Sequence, residues 1–196
     1  MHELAVLAVV IVVVMAATTA VAGLIGRALM AVELALATVS ALIALFVMAF
    51  VGAEVAMRYL FNSPIPGHLE GSELLMPMIV FLAISYTQAS HGHVGMDLLL
   101  DSLSPGIKRI ATMGTLLVSL FICAVLAYFS GKNALQLWRY DDVTMTPPYF
   151  KTWPSAAAIT IGYALISLRM WVQVLHLYKP DRFPANEPAE GFHAVE

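Results

Sequence analysis

Charged residues are scarce in this sequence. Only 12% of its 196 residues are Asp, Glu, Lys or Arg, whereas 60% are hydrophobic. Soluble domains carry about 25% charged residues. A chain this small has a large surface for its volume, so as a soluble domain it would need a polar shell that its composition does not provide. The composition therefore excludes a soluble globular enzyme and predicts an integral membrane protein.

Cysteine, basic residues and deep histidines are lacking too. The single Cys123 excludes an internal disulfide and a multi-cysteine metal site. A net charge of -3 leaves no basic face for a run of phosphates, so we expect no nucleic-acid partner. A haem would need histidines deep in facing helices, but His68, His91 and His93 fall in connections. The His91-x-His93 pair lacks further zinc or copper ligands. We therefore expect no cofactor and no metal.

Long uncharged runs predict the fold. A helix needs about 20 apolar residues to cross the roughly 30 Å of a bilayer core. We predict an all-α, polytopic membrane helix bundle, with one transmembrane domain over 1–179 and a flexible polar tail over 180–196. The bundle has four core helices and an extra N-terminal one, with spans at about 4–26, 31–60, 72–91, 108–131 and 152–178.

The first span has an alternative interpretation as a secretory signal, since small residues around Ala16–Ala20 resemble a cleavage region. The start Met1-His2-Glu3 has no positive charge, which argues against a signal. Glycines at 23 and 26 allow a tight turn before the second span.

Prolines and glycines punctuate the rest of the chain. The run 61–67 contains two prolines and a glycine, so no helix is expected to continue through it. Pro77 is expected in the first turns of the third span, where proline costs little. A short helix lying in the membrane interface is expected near 94–103.

The few charges are assigned to span ends. Glu54 and Arg58 are four residues apart and are predicted to pair on one helix face. Glu33 and Arg169 are placed near span ends, with Arg169 either tolerated there or facing a partner. No charge is expected at mid-depth, so the chain shows no proton relay or ion path. It also lacks the nucleophile, phosphate-loop and zinc-protease motifs, so we expect a scaffold rather than an enzyme.

The distribution of Lys and Arg gives a weak preference for orientation. If the 27–33 turn, the 91–109 connection and the C-terminus share one side, that side collects more basic residues than the other. Basic residues favour the cytoplasmic side. We therefore expect a cytoplasmic C-terminus.

A set of short motifs resembles one family. Arg58-Tyr59-Leu60-Phe61-Asn62-Ser63-Pro64 closes one span, Glu70 and Glu73 open the next, and Gly92-His93-Val94-x-x-Asp97 follows. In order and spacing they resemble the small permease (DctQ-type) subunit of tripartite ATP-independent periplasmic (TRAP) transporters, over about residues 30–178. The helix dipole alone would explain the two glutamates. Two features depart from the family: the extra N-terminal span, and Gly95 where many members have a basic residue.

The resemblance implies a multi-pass protein of the bacterial inner membrane that scaffolds a large permease (M-type) subunit. That subunit would carry the sodium and substrate sites, and a periplasmic binding protein would deliver an organic acid. The alternatives are a membrane anchor of a haem or quinone redox complex, and an orphan assembly or channel protein. By resemblance, the candidate interface with partner or membrane lipids comprises Arg58, Tyr59, Phe61, Asn62, Pro64, Glu70, Glu73, Gly92, His93 and Asp97.

Overall fold

Four α-helices make up the part of the chain that the structure describes. The computed structural model describes residues 22–90 and 105–178 of the chain. Within them the only β-type pairing is an isolated bridge between Val143 and Lys151. All four helices are long and apolar enough to cross a membrane, which confirms the predicted all-α membrane bundle with four core spans. The helices are α1 (Ala22–Phe61), α2 (His68–Ala89), α3 (Pro105–Arg139) and α4 (Trp153–Tyr178).

The apolar runs form helices because a helix satisfies its own backbone polar groups. In the absence of water, each unpaired N–H or C=O would cost several kcal/mol, and a helix bonds them all within one segment. The most apolar 18-residue stretches of α1 and α3 have mean hydropathies of 2.6 and 2.4. The corresponding stretches of α2 and α4 have values of 1.4 and 1.5. By this measure α2 and α4 are the more polar helices.

The start of α1 differs from the expectation. The helix begins at Ala22 and runs through Gly23 and Gly26, where a turn was expected. An interior glycine costs a helix only about 1 kcal/mol, which an apolar run can outweigh. Most of the predicted span 4–26 lies outside the described residues, so that span remains a prediction.

The bounds of α2 and α3 also differ. Because α2 begins at His68, Pro77 lies in the helix interior and not in its first turns. Proline has no N–H, so the carbonyl of Glu73 lacks its usual helical donor. α3 continues to Arg139, about two turns past its expected end. Lys132 lies 5.6 Å from the centre of the Tyr128 ring one turn earlier, and this cation–π contact supports the added turns.

The chain divides into two compact units, each containing parts of all four helices. The described part of the first covers 22–34, 85–90, 105–125 and 164–178; that of the second covers 35–84 and 126–163. The core of the first unit is aliphatic and is formed mainly by α4. Its buried apolar residues are Leu29, Ala89, Leu120, Ile166, Met170, Val174 and Leu175.

Small and hydroxyl side chains dominate the core of the second unit. The buried Ser40 of α1 donates a 2.5 Å hydrogen bond to the carbonyl of Ile79 in α2. Gly162 of α4 lies so close to α2 that a Cβ there would be 2.3 Å from the carbonyl oxygen of Phe81. Membrane helices commonly associate through such small residues and interhelical hydrogen bonds.

Several predicted features lie outside the described residues. These are the short helix near 94–103 and the tail 180–196, with the motif residues Gly92, His93 and Asp97. They remain predictions, as does the single domain over 1–179.

Candidate functional site

The predicted pair at the end of α1 is present. The Arg58 Nε and Nη2 atoms donate to the Oε1 atom of Glu54 at 2.9 and 2.5 Å. Nδ1 of His68, the first residue of α2, lies 3.7 Å from the same oxygen. Glu54 is buried whereas the Arg58 side chain is half-exposed. The pair thus neutralises a buried carboxylate, and the outer part of the guanidinium still faces the surroundings.

Asn62 ends α1 through its backbone conformation. Its φ is 50°, in the left-handed region where Asn and Gly are the favoured residues. The chain reverses there, and the N–H of Ser63 donates to the carbonyl of Met57 at 3.2 Å. This bond satisfies a carbonyl that the ending helix leaves open. Asn62 and the exposed Pro64 therefore act as a helix stop.

Large apolar side chains surround this helix end. Tyr59 and Phe61 are both mainly exposed, as is Leu60 between them. Aromatic residues at a span end are typical of the membrane–water interface. The two aromatic rings are thus free for lipid or for a partner.

The turn after α1 packs on the loop between α3 and α4. Gly67 has a φ of 74°, and a Cβ there would lie 2.3 Å from the Cδ atom of Pro148. The ring of Phe150 lies against the same glycine and against Gly71. Only glycine allows this backbone conformation and this close approach together.

Glu70 in the first turn of α2 connects to the same loop. The hydroxyl of Thr146 donates a short hydrogen bond to Oε1 of Glu70. Glu73 is exposed and lies one turn later. A carboxylate near a helix N-terminus is favoured by the dipole, and here it also fixes a loop 76 residues further along the chain.

Both glutamates line an open cleft of about 380 Å³. The loop side of the cleft contributes threonine hydroxyls and Met145, whose side chain is almost fully exposed. The loop also contains an exposed Lys151–Asp141 ion pair of 2.6 Å and a 2.9 Å hydrogen bond from Thr152 to Asp142. The lining residues are Glu70, Glu73, Leu74, Thr144, Met145, Thr146 and Thr152.

The structure thus places seven of the ten predicted interface residues in the second unit. Arg58, Tyr59, Phe61, Asn62 and Pro64 form the end of α1 and its turn, and Glu70 and Glu73 form the start of α2. The sequence did not predict that the 140–152 loop joins them, because nothing in the local pattern of that loop indicates what it contacts.

A buried ion pair in the first unit was also missed. Nε of Arg169 in α4 donates to Oε1 of Glu33 in α1 at 3.0 Å, and Nη2 donates to Oε2. Ser85 of α2 donates to Oε1 at 2.5 Å. A signal was available in the sequence, since Glu33 and Arg169 are opposite charges within helices that have few other charges. Beside them, the amides of Gln88 and Gln173 bond at 2.9 Å.

Metal-ligating side chains do not cluster in the part of the chain that the structure describes. Over 22–90 and 105–178, no three His, Cys, Asp or Glu residues come together in a way that would hold an ion.

Four helices that are long and apolar enough to span a membrane indicate a multi-pass membrane protein. The family model described as "Tripartite ATP-independent periplasmic transporters, DctQ component" matches residues 47–179, well over half of the chain. The chain belongs to this family and is a small permease subunit of a TRAP transporter.

A curated relative agrees with this assignment. The chain is similar to the C4-dicarboxylate TRAP transporter small permease protein DctQ of Vibrio cholerae, with 26% identity over 168 residues. The match covers 70% of this chain and 69% of the relative. The family assignment confirms the resemblance found in the sequence and favours a transporter subunit over a redox anchor or an orphan membrane protein.

Proposed function

We propose that this small permease subunit is a static scaffold for a large permease subunit, in sodium-coupled uptake of an organic acid. One observation carries the proposal: both carboxylates inside α1 are neutralised within the chain, Glu33 by Arg169 and Glu54 by Arg58. An ion or substrate path needs charged groups that are free to bind and release. The name of the Vibrio relative makes C4-dicarboxylates the first substrates to test.

Reconstitution into liposomes tests the scaffold role. Vesicles containing the small subunit alone, with an inward sodium gradient and a binding protein loaded with labelled C4-dicarboxylate, should show no uptake. Vesicles that also contain the large permease should show uptake that stops when the sodium gradient is removed. Uptake by the small subunit alone would contradict the proposal. Sodium-independent uptake by the full set would contradict the coupling.

We further propose that the chain lies in the bacterial inner membrane with a cytoplasmic C-terminus. Since α4 crosses the membrane once, this orientation puts the loop before α4, and the Glu70–Glu73 cleft that it lines, on the periplasmic side. A fluorescent protein that matures only in the cytoplasm, fused after Glu196, should fluoresce. A periplasmically active phosphatase fused at the same position should be inactive, and the opposite pattern would reverse the orientation.

The cleft and the exposed end of α1 are the proposed contact region for the other components. Two carboxylates, exposed rings and the exposed Met145 give it the mixed polar and apolar character of a protein interface.

Replacing both Glu70 and Glu73 by Ala should reduce recovery of the complex with the large permease or the binding protein. Thr146→Val measures the part of this effect that comes from the loop, because it removes the contact of Glu70 with the loop and keeps both charges; it should reduce recovery less than the double variant. Wild-type recovery of both complexes with the Glu70→Ala, Glu73→Ala variant would leave the glutamates only a structural role.

A further inference from the structure

The Glu33–Ser85–Arg169 cluster is the most enclosed polar group in the first unit. Glu33 is 0% exposed, Ser85 1% and Arg169 3%. Both carboxylate oxygens accept from the guanidinium, and one also accepts from the serine hydroxyl. The cluster therefore ties α1, α2 and α4 together with a matched charge pair.

The position of Arg169 makes its partner important. It lies about two and a half turns before Tyr178, the last residue of α4, so the guanidinium is well inside the helix. An unpaired arginine within a span opposes membrane insertion more than any gain from one apolar residue can offset.

The two helices differ in how well they tolerate a lone charge. The most apolar 18-residue stretch of α4 has a mean hydropathy of only 1.5, whereas that of α1 has a mean hydropathy of 2.6. Without Arg169, Glu33 would keep its negative charge in a strongly apolar helix, whose hydropathy favours insertion despite one charge. Without Glu33, Arg169 would keep its positive charge in a weakly apolar helix.

We propose that Glu33 is the intramembrane counter-ion that keeps α4 in the membrane, so that stable insertion of the fourth helix depends on the first. Ser85 orients the carboxylate, because its hydroxyl donates a hydrogen bond to Oε1 of Glu33, which also accepts a hydrogen bond from Nε of Arg169. Insertion of α4 depends on Glu33 only while Arg169 is present. Replacing Arg169 removes the charge from α4, whereas replacing Glu33 leaves that charge in place.

The test compares single and double variants of the full chain in bacterial membranes. The sidedness of a reporter after Glu196 measures α4 insertion, and the monodisperse fraction in mild detergent measures folding. Glu33→Leu should lower both, with correctly sided C-termini reduced on the order of tenfold. Arg169→Met should lower the monodisperse fraction but keep wild-type sidedness. The Glu33→Leu, Arg169→Met double variant should recover sidedness fully.

Two controls separate charge pairing from other effects. Ser85→Ala keeps both charges and should keep wild-type sidedness. Lys151→Leu breaks the exposed pair with Asp141 outside α4 and should leave both readouts unchanged. Wild-type sidedness of Glu33→Leu would overturn the proposal. A double variant as poorly inserted as Glu33→Leu would overturn it too, because the loss would then come from packing at residue 33 and not from the charge of Arg169.

Discussion

At the scale of single residues, backbone conformation explains why Asn62 ends α1. Its φ of 50° costs most residues about 1–2 kcal/mol, but Asn and Gly adopt it readily. Asn62→Gly should therefore keep wild-type stability, whereas Asn62→Val should lower it by about 1–2 kcal/mol. Thermal unfolding in detergent measures both. Equal stability of the Val and Gly variants would show that this turn can re-form without a left-handed residue.

Gly162 is the residue whose replacement should be least tolerated in the helix packing of the second unit. A Cβ at this position would overlap the Phe81 carbonyl, a backbone atom that can move only with α2. Gly162→Ala should cost about 1–3 kcal/mol of stability. Gly114→Ala in α3 is the matched control, since nothing lies within 4 Å of its Cβ, and it should be neutral or slightly stabilising. Similar unfolding temperatures for the two variants would contradict this packing.

Residue spacing explains which contacts could be predicted. Glu54 and Arg58 are one helical turn apart, so their pairing follows from the helix period alone. Glu33 and Arg169 are 136 residues apart, and Thr146 and Glu70 are 76 apart. No local pattern encodes such distant contacts. They depend on how the helices pack, and a single sequence carries only the charge match as a hint.

At the scale of elements, the 140–152 loop is held by contacts at several points. Thr146 binds Glu70, Pro148 packs on Gly67, and Thr152 bonds Asp142 beside the start of α4. Thr146→Val removes the bond to α2 and keeps the size of the side chain. Amide hydrogens of the 140–152 loop should then exchange faster, while those in the middle of α2 stay unchanged. Hydrogen exchange with mass spectrometry measures both regions.

The matched control for this loop is Lys151→Ala. Both side chains of the Lys151–Asp141 pair are exposed, and exposed ion pairs contribute little to stability. Its loss should leave exchange in the loop close to wild type. Faster exchange in Lys151→Ala than in Thr146→Val would show that the surface pair, and not the contact with Glu70, holds the loop.

Helix existence was easier to predict than helix extent. Long uncharged runs identified all four described helices, because the need to satisfy the backbone in an apolar surrounding leaves few alternatives. The residues at which each helix begins and ends depend on weaker effects. Helix continues through Gly23, Gly26 and Pro77, where the intrinsic cost of a breaker is outweighed by its neighbours.

At the scale of the whole molecule, the four helices differ in how far the rest of the chain encloses them. In the most apolar 18-residue stretch of each helix, the buried share is 39% for α4 and 17% for α2. It is only 6% for α1 and for α3. Of the four described helices, α4 thus has the largest buried share. Few apolar side chains of α1 and α3 are buried, and the exposed ones include Leu42, Met48, Val118 and Phe121.

These outward surfaces predict where lipid and the large permease should contact the chain. An apolar carbene probe activated inside liposomes should label α1 and α3 more heavily than α4 when the small subunit is reconstituted alone. After assembly with the large permease, labelling should fall on α1 or α3 and stay unchanged on α4. A Ser40→Leu variant serves as a control for misfolding, since it removes the bond to Ile79 and should raise labelling generally. Equal labelling of all four helices in the wild-type chain, or protection confined to α4 on assembly, would contradict a scaffold that meets its partner through α1 or α3.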